Sequence, residues 1–252
     1  MIKLKINFMS KAIMRNVHVN VLIPRATMGC KSLYLLHGMY GGEDEWLQKT
    51  KLINYLENKN LAVIMPCGEN SFYVDNNFTG EQFGVFIGKE LVNITRELLP
   101  LSPKKEHTFI AGLSMGGFGA VRNGLKYSET FSHIAGFSSA LIMDRLINPD
   151  PNAEVTHMNA AFYNTIFDGA DALKTSDKNP EVLIKKLLEQ GKDIPEIYLT
   201  CGTEDFLLED NRKFVKFLQE NNVKHTYTES MGAHDWVYWD KQIKKLMGVL
   251  PL

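Results

Sequence analysis

The chain has 252 residues, 44% of them apolar and 23% charged, which is the balance of an ordinary globular protein with one core and excludes disorder as its main organisation. Lys and Arg total 28 against 29 for Asp and Glu, a net charge of −1, so neither nucleic acid nor an anionic membrane surface finds an electrostatic footprint here. No apolar run approaches the roughly 18 residues of a spanning helix, and the opening MIKLKINFMSKAIMRN lacks the continuous apolar centre and cleavage site of a secretory signal.

Ile2 to Phe8 alternates apolar and polar residues, and Val17 to Ile23 does so again before Pro24. Together they predict an antiparallel pair of half-buried strands. Ser32 to His37 is almost continuously apolar and meets Gly38, as a strand covered on both faces does. Leu52 to Leu56 predicts a short helix, and Leu61 to Met65, closed by Pro66, the next buried strand. Residues 66–78 read as a loop. Helical spacing runs from Glu81 to Leu99 and stops at Pro100. His107 to Ala111 predicts a third buried strand that runs straight into Gly112-Leu-Ser-Met-Gly-Gly117, with a helix to about Leu125. Ile134 to Phe137 is a strand.

Residues 140–180 lose periodicity and carry Pro149, Pro151 and Pro180; they read as a short insertion with some helix over a site. Beyond it come a helix from Glu181 to Gln190, a strand from Ile194 to Cys201, a helix from Glu209 to Asn221, a strand from Lys224 to Met231 and a closing helix from Asp235 to Gly248. This alternation predicts an α/β fold in one domain over 1–252: a mostly parallel sheet of about eight strands with helices on both faces. Ligands of such sheets bind beyond the carboxyl ends of the strands. The loops after Leu36, Met65, Ala111, Phe137, Cys201 and Met231 therefore share one functional edge.

Gly112-Leu-Ser114-Met-Gly116 has the G-x-S-x-G form of a tight strand-to-helix turn that lifts a serine hydroxyl off a sheet. A serine needs a base. His18, His107, His133 and His225 fall in or at the start of strands, away from that edge, and His157 falls in the insertion. His37 ends a strand and reads as support for the loop it opens. His234, after the last strand, is on the correct edge and in the order Ser, acid, His. The acid falls after the strand ending at Cys201: Asp205 is the first choice, with Glu204, Glu209 and Asp210 as rivals, Asp210 also reading as a helix cap. Oxyanion donors are expected at the backbone N–H of Met115 and of Met39, with Tyr40 the alternative. Tyr40, Ser71, Tyr73 and Trp236 lie where a substrate could touch them. Trp46, Trp236 and Trp239 read equally as pocket lining and as core. Cys30, Cys67 and Cys201, odd in number and widely spaced, fit free thiols of a reducing cytoplasm. No ligand cluster for a metal and no cofactor motif is present, so none is expected.

The blocks LYLLHGMYGGEDEW, GLSMGGFGA, CGTEDFLLEDN and GAHDWVYW, in this order over about residues 33–240, resemble the esterase family that holds tributyrin esterases, esterase D-type S-formylglutathione hydrolases, feruloyl and acetylxylan esterases and mycolyltransferases. The likeness is greatest to bacterial tributyrin esterases, cytoplasmic enzymes of short acyl chains. The resemblance implies an α/β-hydrolase fold and places nucleophile, acid and base at Ser114, Asp205 and His234, with oxyanion donors at Met39 and Met115. It implies a serine carboxylesterase that forms an acyl-enzyme on a small-molecule ester. The alternatives are a feruloyl or acetyl esterase of plant-derived oligosaccharides, an S-formylglutathione hydrolase (less favoured, because the loop after the first His-Gly differs), an acyltransferase, or a silent binding module. No nucleic-acid partner and no membrane span is expected, and a homo-oligomer stays open.

Overall fold

The computed structural model describes residues 1–25, 28–148 and 160–252. It opens on an antiparallel hairpin, β1 (Ile2–Ser10) against β2 (Arg15–Ile23), in register from Ile2 with Ile23 to Ser10 with Arg15. β2 pairs antiparallel with β4 (Leu61–Pro66). Every later pairing is parallel. β4 joins β3 (Lys31–Leu36), and β3 joins β5 (Thr108–Leu113). The sheet continues through β6 (His133–Phe137), β7 (Glu196–Gly202) and β8 (His225–Ser230). The order is β1-β2-β4-β3-β5-β6-β7-β8, the mostly parallel, eight-stranded sheet the sequence predicts.

The period of two sorts the central strands into two cores. Tyr34 and Leu36 of β3 face one layer, Leu33 and Leu35 the other, because successive strand side chains point to opposite faces. The second layer is small. It is covered by α1 (Glu45–Lys49) through Trp46, by α2 (Leu52–Tyr55) through Leu52, and by α11 (Trp236–Val249) through Trp239, Ile243 and Leu246. The first layer takes the helices between: α3 (Phe83–Val85), α4 (Leu91–Leu98), α5 (Met115–Lys126), α6 (Met143–Ile147), α7 (Ala160–Phe167), α8 (Ala170–Leu173), α9 (Pro180–Glu189) and α10 (Leu208–Glu220). Among the described residues no helix is long and apolar enough to cross a membrane.

Two local features depart from the sequence reading, and a third agrees with it. The helix expected over Glu81–Leu99 begins at Phe83 and contains a wider π-helical turn at Phe86–Glu90. Two tertiary contacts fall on that turn. Gly88 lies against the Tyr127 ring, and Glu90 reaches the β1–β2 turn, accepting from the Lys11 N–H at 2.7 Å and from the Ser10 hydroxyl. The loop after β4 is not a solvated one: Ser71, Phe72, Tyr73 and Val74 are all buried. As expected, part of the insertion is helical, as α6, α7 and α8. Pro149, Pro151 and His157 lie outside the described residues.

The end of this insertion is tied down by charge. Arg122 of α5 is fully buried and donates to the Asp177 carbonyl and carboxylate at 3.1 and 2.9 Å. Lys178, also buried, meets the Ile166 carbonyl and Asp168, each at 2.7 Å. A buried cation is tolerated only with such partners.

A methyl group on Gly88 would overlap the Tyr127 ring, whereas one on Gly248 would meet no atom within 4 Å. Overpacking of this kind costs about 1–3 kcal/mol. Gly88→Ala is therefore expected to lower the melting temperature by about 3–10 °C. Gly248→Ala, in the exposed last turns of α11, is expected to leave it unchanged or raise it. Thermal melts followed by circular dichroism check both, and equal melting of Gly88→Ala and the parent would contradict the packing described for α4.

Candidate active site

β5 ends at Leu113 and α5 begins at Met115, so Ser114 alone makes the turn between them. Its backbone sits at φ +52° and ψ −119°, a region that costs an L residue of order 1–3 kcal/mol. Three hydrogen bonds hold it there. The Ser114 N–H donates to the Phe137 carbonyl at 2.9 Å, and the Ser114 carbonyl accepts from Phe118 and Ala140 at 3.0 and 2.9 Å. The flanking glycines follow from close approach. A Cβ on Gly116 would stand 2.5 Å from the His37 carbonyl oxygen, and one on Gly112 would overlap Gly116.

His234 arrives from the loop between β8 and α11. Asp235 caps α11, its carboxylate accepting the Tyr238 N–H at 2.8 Å, which fixes the backbone next to the imidazole. Nε2 of His234 lies 3.0 Å from Ser114 Oγ, and Nδ1 lies 2.9 and 3.1 Å from the two Asp205 oxygens. Trp239 packs edge-on against the ring from the core side at 4.9 Å, and Phe206 covers it from solvent at 4.5 Å.

Asp205 is buried and accepts the Leu207 N–H at 2.9 Å. Burial pushes its carboxyl up. The His234 hydrogen bond and charge, with help from the Ser138 hydroxyl and the Leu207 N–H, outweigh that and hold it below the usual carboxylate range. Ser138 is itself buried at φ +47° and accepts the Trp239 indole N–H at 3.2 Å. Sequence reading missed this support, because a serine just past a strand carries no signal of what it faces.

The rival carboxylates are engaged elsewhere. Glu209 pairs with Arg212 at 2.6 Å, and Glu204 is exposed. Asp210 corrects the expected helix cap. Its carboxylate is buried and paired with Arg145 of α6, Nε to Oδ1 at 2.7 Å. Burial raises its pKa against the pull of Arg145. The N-cap of α10 is Leu207, without a side-chain bond.

Beside Ser114 runs the loop that His37 opens. A Cβ on Gly38 would stand 3.5 Å from Ser114 Cβ. The Tyr40 N–H, the alternative oxyanion donor, is taken by Asn70 Oδ1 at 2.8 Å. Met115, as the first residue of α5, leaves its N–H without an intrahelical acceptor. The Met39 N–H meets no acceptor among the described residues. His37 anchors this loop. Its Nδ1–H donates to the Gly38 carbonyl at 2.7 Å, and Nε2 accepts the Gly68 N–H at 2.8 Å, which fixes a neutral tautomer. Burial pushes its pKa down.

Two expected substrate contacts, Tyr73 and Ser71, need correction. Tyr73 is fully buried, its hydroxyl donating to the His37 carbonyl at 3.0 Å, so it braces the loop from below. Ser71 is buried with its hydroxyl on the Gly68 carbonyl at 2.6 Å. Trp236 is half-buried and packs edge-on against Trp46 and Trp239 at 5.3 and 5.2 Å; Trp46 and Trp239 belong to the small core layer, and Trp236 lies against it. Tyr40 is exposed at the edge. His107, in a short 3-10 turn just before β5, bonds Ser102, and His18 of β2 bonds Asn7 of β1; both are away from this edge. Burial pushes the Cys67 thiol up, against a thiolate role. Among the described residues no group of three or more His, Cys, Asp or Glu could hold a metal ion.

Comparisons with known proteins show the chain's family and fold. The family model described as "Putative esterase" matches residues 10–248. An acetyl esterase of Caldicellulosiruptor saccharolyticus is 38% identical, covering 95% of this chain and 94% of that protein. Among solved structures, the substrate-bound fluorophosphonate-binding serine hydrolase FphF of Staphylococcus aureus superposes with a TM-score of 0.88 at 26% identity, over 99% of this chain and 98% of that one. The S-formylglutathione hydrolase FrmB of the same organism gives 0.86 at 27% identity over the same shares. The sheet order and its two helical layers are those of the α/β-hydrolase fold these enzymes share.

A neutral, buried His37 carries a pH signature. Its folded pKa is lowered, so as pH falls below about 6.5, the ordinary value for histidine, the unfolded chain takes up the proton first and stability is lost. Above that pH the contribution is constant. In His37→Gln the melting temperature is expected to fall less steeply between pH 7 and pH 5 than in the parent, although the variant starts lower. His133, also held down by burial, contributes the same slope to both. A slope as steep in the variant as in the parent would remove His37 from this account.

Proposed function

The chain belongs to the Putative esterase family and is a carboxylic ester hydrolase; from that premise we propose that Ser114, His234 and Asp205 act as nucleophile, base and orienting acid on short-chain acyl esters. The observation that carries the proposal is the unbroken line Asp205–His234–Ser114, at 2.9 and 3.0 Å, ending on a strained turn.

Ser114 Oγ attacks the acyl carbonyl while His234 Nε2 takes its proton. The N–H groups of Met39 and Met115 receive the oxyanion; each such donor is worth roughly 10²–10³ in rate. The imidazolium hands its proton to the departing alcohol, leaving the acyl group on Ser114. Water then attacks the acyl-enzyme, His234 takes its proton, and the acid is released. Asp205 holds the Nδ1–H tautomer and stabilises the imidazolium. The acetyl esterase relative supports a small acyl group.

Charge at the edge favours an uncharged ester over S-formylglutathione. The segments 37–44, 67–82, 138–142, 203–207 and 231–235 contain no Lys or Arg, yet they carry Glu43, Asp44, Glu69, Asp75, Glu81, Glu204, Asp205 and Asp235. Arg145, which reaches the Phe206 carbonyl, is paired with Asp210. The carboxylates of a glutathione thioester would find no free cation in these segments. Free thiols at Cys30, Cys67 and Cys201 suit a reducing compartment, which supports action in the cytoplasm.

Ser114→Ala is expected to stay folded, to lose at least three orders of magnitude in kcat on an acetyl ester, and to escape labelling by a fluorophosphonate probe. Asp205→Asn is expected to lose roughly 10³–10⁴ in kcat, because the amide favours the wrong imidazole tautomer. Asp210→Asn should keep most of its activity and melt at lower temperature, since Arg145 loses its counter-charge. Near-normal turnover in Ser114→Ala ends the proposal; an inactive Asp210→Asn beside an active Asp205→Asn reverses the acid.

A further inference from the structure

Phe206 is out of place as a packing residue. It is 65% exposed, although its neighbours Asp205 and Leu207 are buried. An aromatic ring is among the side chains that gain most from burial, and this one stands in solvent with its centroid 4.5 Å from the His234 imidazole. Nor is it on a loose tether. The Asp205 N–H donates to the Gly202 carbonyl at 3.2 Å and the Leu207 N–H to Asp205 Oδ1 at 2.9 Å. The Phe206 carbonyl accepts from Arg145 Nη2 at 3.2 Å, and Arg145 is itself clamped by the buried Asp210. The backbone on both sides of the ring is fixed, so the ring is presented from a rigid base.

We propose that Phe206 is the platform for the alcohol half of the ester, and that the alcohol carries no negative charge and presents a flat apolar face, either a sugar ring or an arene. The inference rests on the esterase reading above. The chemistry dictates which half of the substrate meets this ring. The oxyanion points to the Met39 and Met115 N–H groups, beside the loop after β3 and the start of α5. The leaving oxygen must instead lie at His234 Nε2 to collect its proton. The first carbons of the alcohol therefore extend over the imidazole, on the side Phe206 covers. A flat C–H or π face there excludes water from both rings and stacks on the phenyl. Met231 and Val237, three residues before and three after His234, are 81% and 66% exposed and add apolar surface from the adjoining loop and helix. The segments at this edge carry no Lys or Arg, so an anionic alcohol gains nothing from them.

The test uses three acetates that share one acyl group: methyl acetate, phenyl acetate and an acetylated methyl xyloside. Because all pass through the same acetyl-enzyme, differences in kcat/KM report on the alcohol half. In Phe206→Ala the ratio of kcat/KM for phenyl or xyloside acetate to that for methyl acetate is expected to fall about five- to tenfold, the scale of one aromatic contact. Phe206→Tyr should restore the parent ratio. A fall confined to phenyl acetate makes the natural alcohol an arene; one confined to the xyloside makes it a sugar. Equal losses on all three esters, or none, overturn the inference, since packing against His234 would then be the ring's whole role. If the parent enzyme hydrolyses none of the three, the esterase reading fails instead, and the two failures are told apart by the parent alone.

Discussion

The site depends on a backbone conformation that the chain does not adopt willingly. Ser114 is held at positive φ between β5 and α5, and nothing local favours that state. It persists because β6 supplies the Phe137 carbonyl, the following turn supplies the Ala140 N–H, and β3 presses the His37 carbonyl against Gly116. Each of these partners reaches the elbow through the parallel ladders of β3, β5 and β6. The sheet is thus more than a scaffold on which loops are hung. Its register sets the strain at Ser114, and the hydrogen bonds that offset this strain also bring the loop of His37 and Met39 beside the serine hydroxyl.

Around this turn, buried polar groups set orientation where apolar packing alone would leave freedom. His37, held neutral, joins the loops after β3 and β4. Ser138 and Trp239 support Asp205 from behind, and Asp235 fixes the backbone beside His234. Arg145 and Asp210 tie α6 to α10, and Arg122 with Asp177 ties the end of the insertion to α5. Directional bonds of this kind, shielded from water, hold side chains to tenths of an ångström.

Much of this was legible in the sequence, for identifiable reasons. Strands buried on both faces read as unbroken apolar runs, and the hairpin as alternation, because burial there follows chain period. Ser114, Asp205 and His234 could be picked out because each follows a strand at one edge. What stayed illegible is set by contacts between segments distant in sequence. The polar stretch after β4 looks solvated, yet Phe72 and Tyr73 adopt positive φ and turn inward under the His37 loop. Asp210 stands at the right place for a helix cap, and only the position of α6 shows that Arg145 claims it. The π-helical turn before α4 answers to Tyr127 and to the β1–β2 turn, neither of which helical spacing can report. The three tryptophans carried no sign of whether they faced ligand or core, since the same residue serves both.

His234 is the residue immediately before the cap of α11, and α11 closes the smaller core layer over Trp46, Leu33 and Leu35. The imidazole therefore takes its position only when that helix has docked. During synthesis Ser114 leaves the ribosome 120 residues ahead of His234, and for that interval the proposed nucleophile has no proton acceptor. On the proposed roles, reactivity toward esters is in this way coupled to completion of the smaller core layer: a nascent or partly unfolded chain carries Ser114 without its proton acceptor, and hydrolysis awaits the docking of α11.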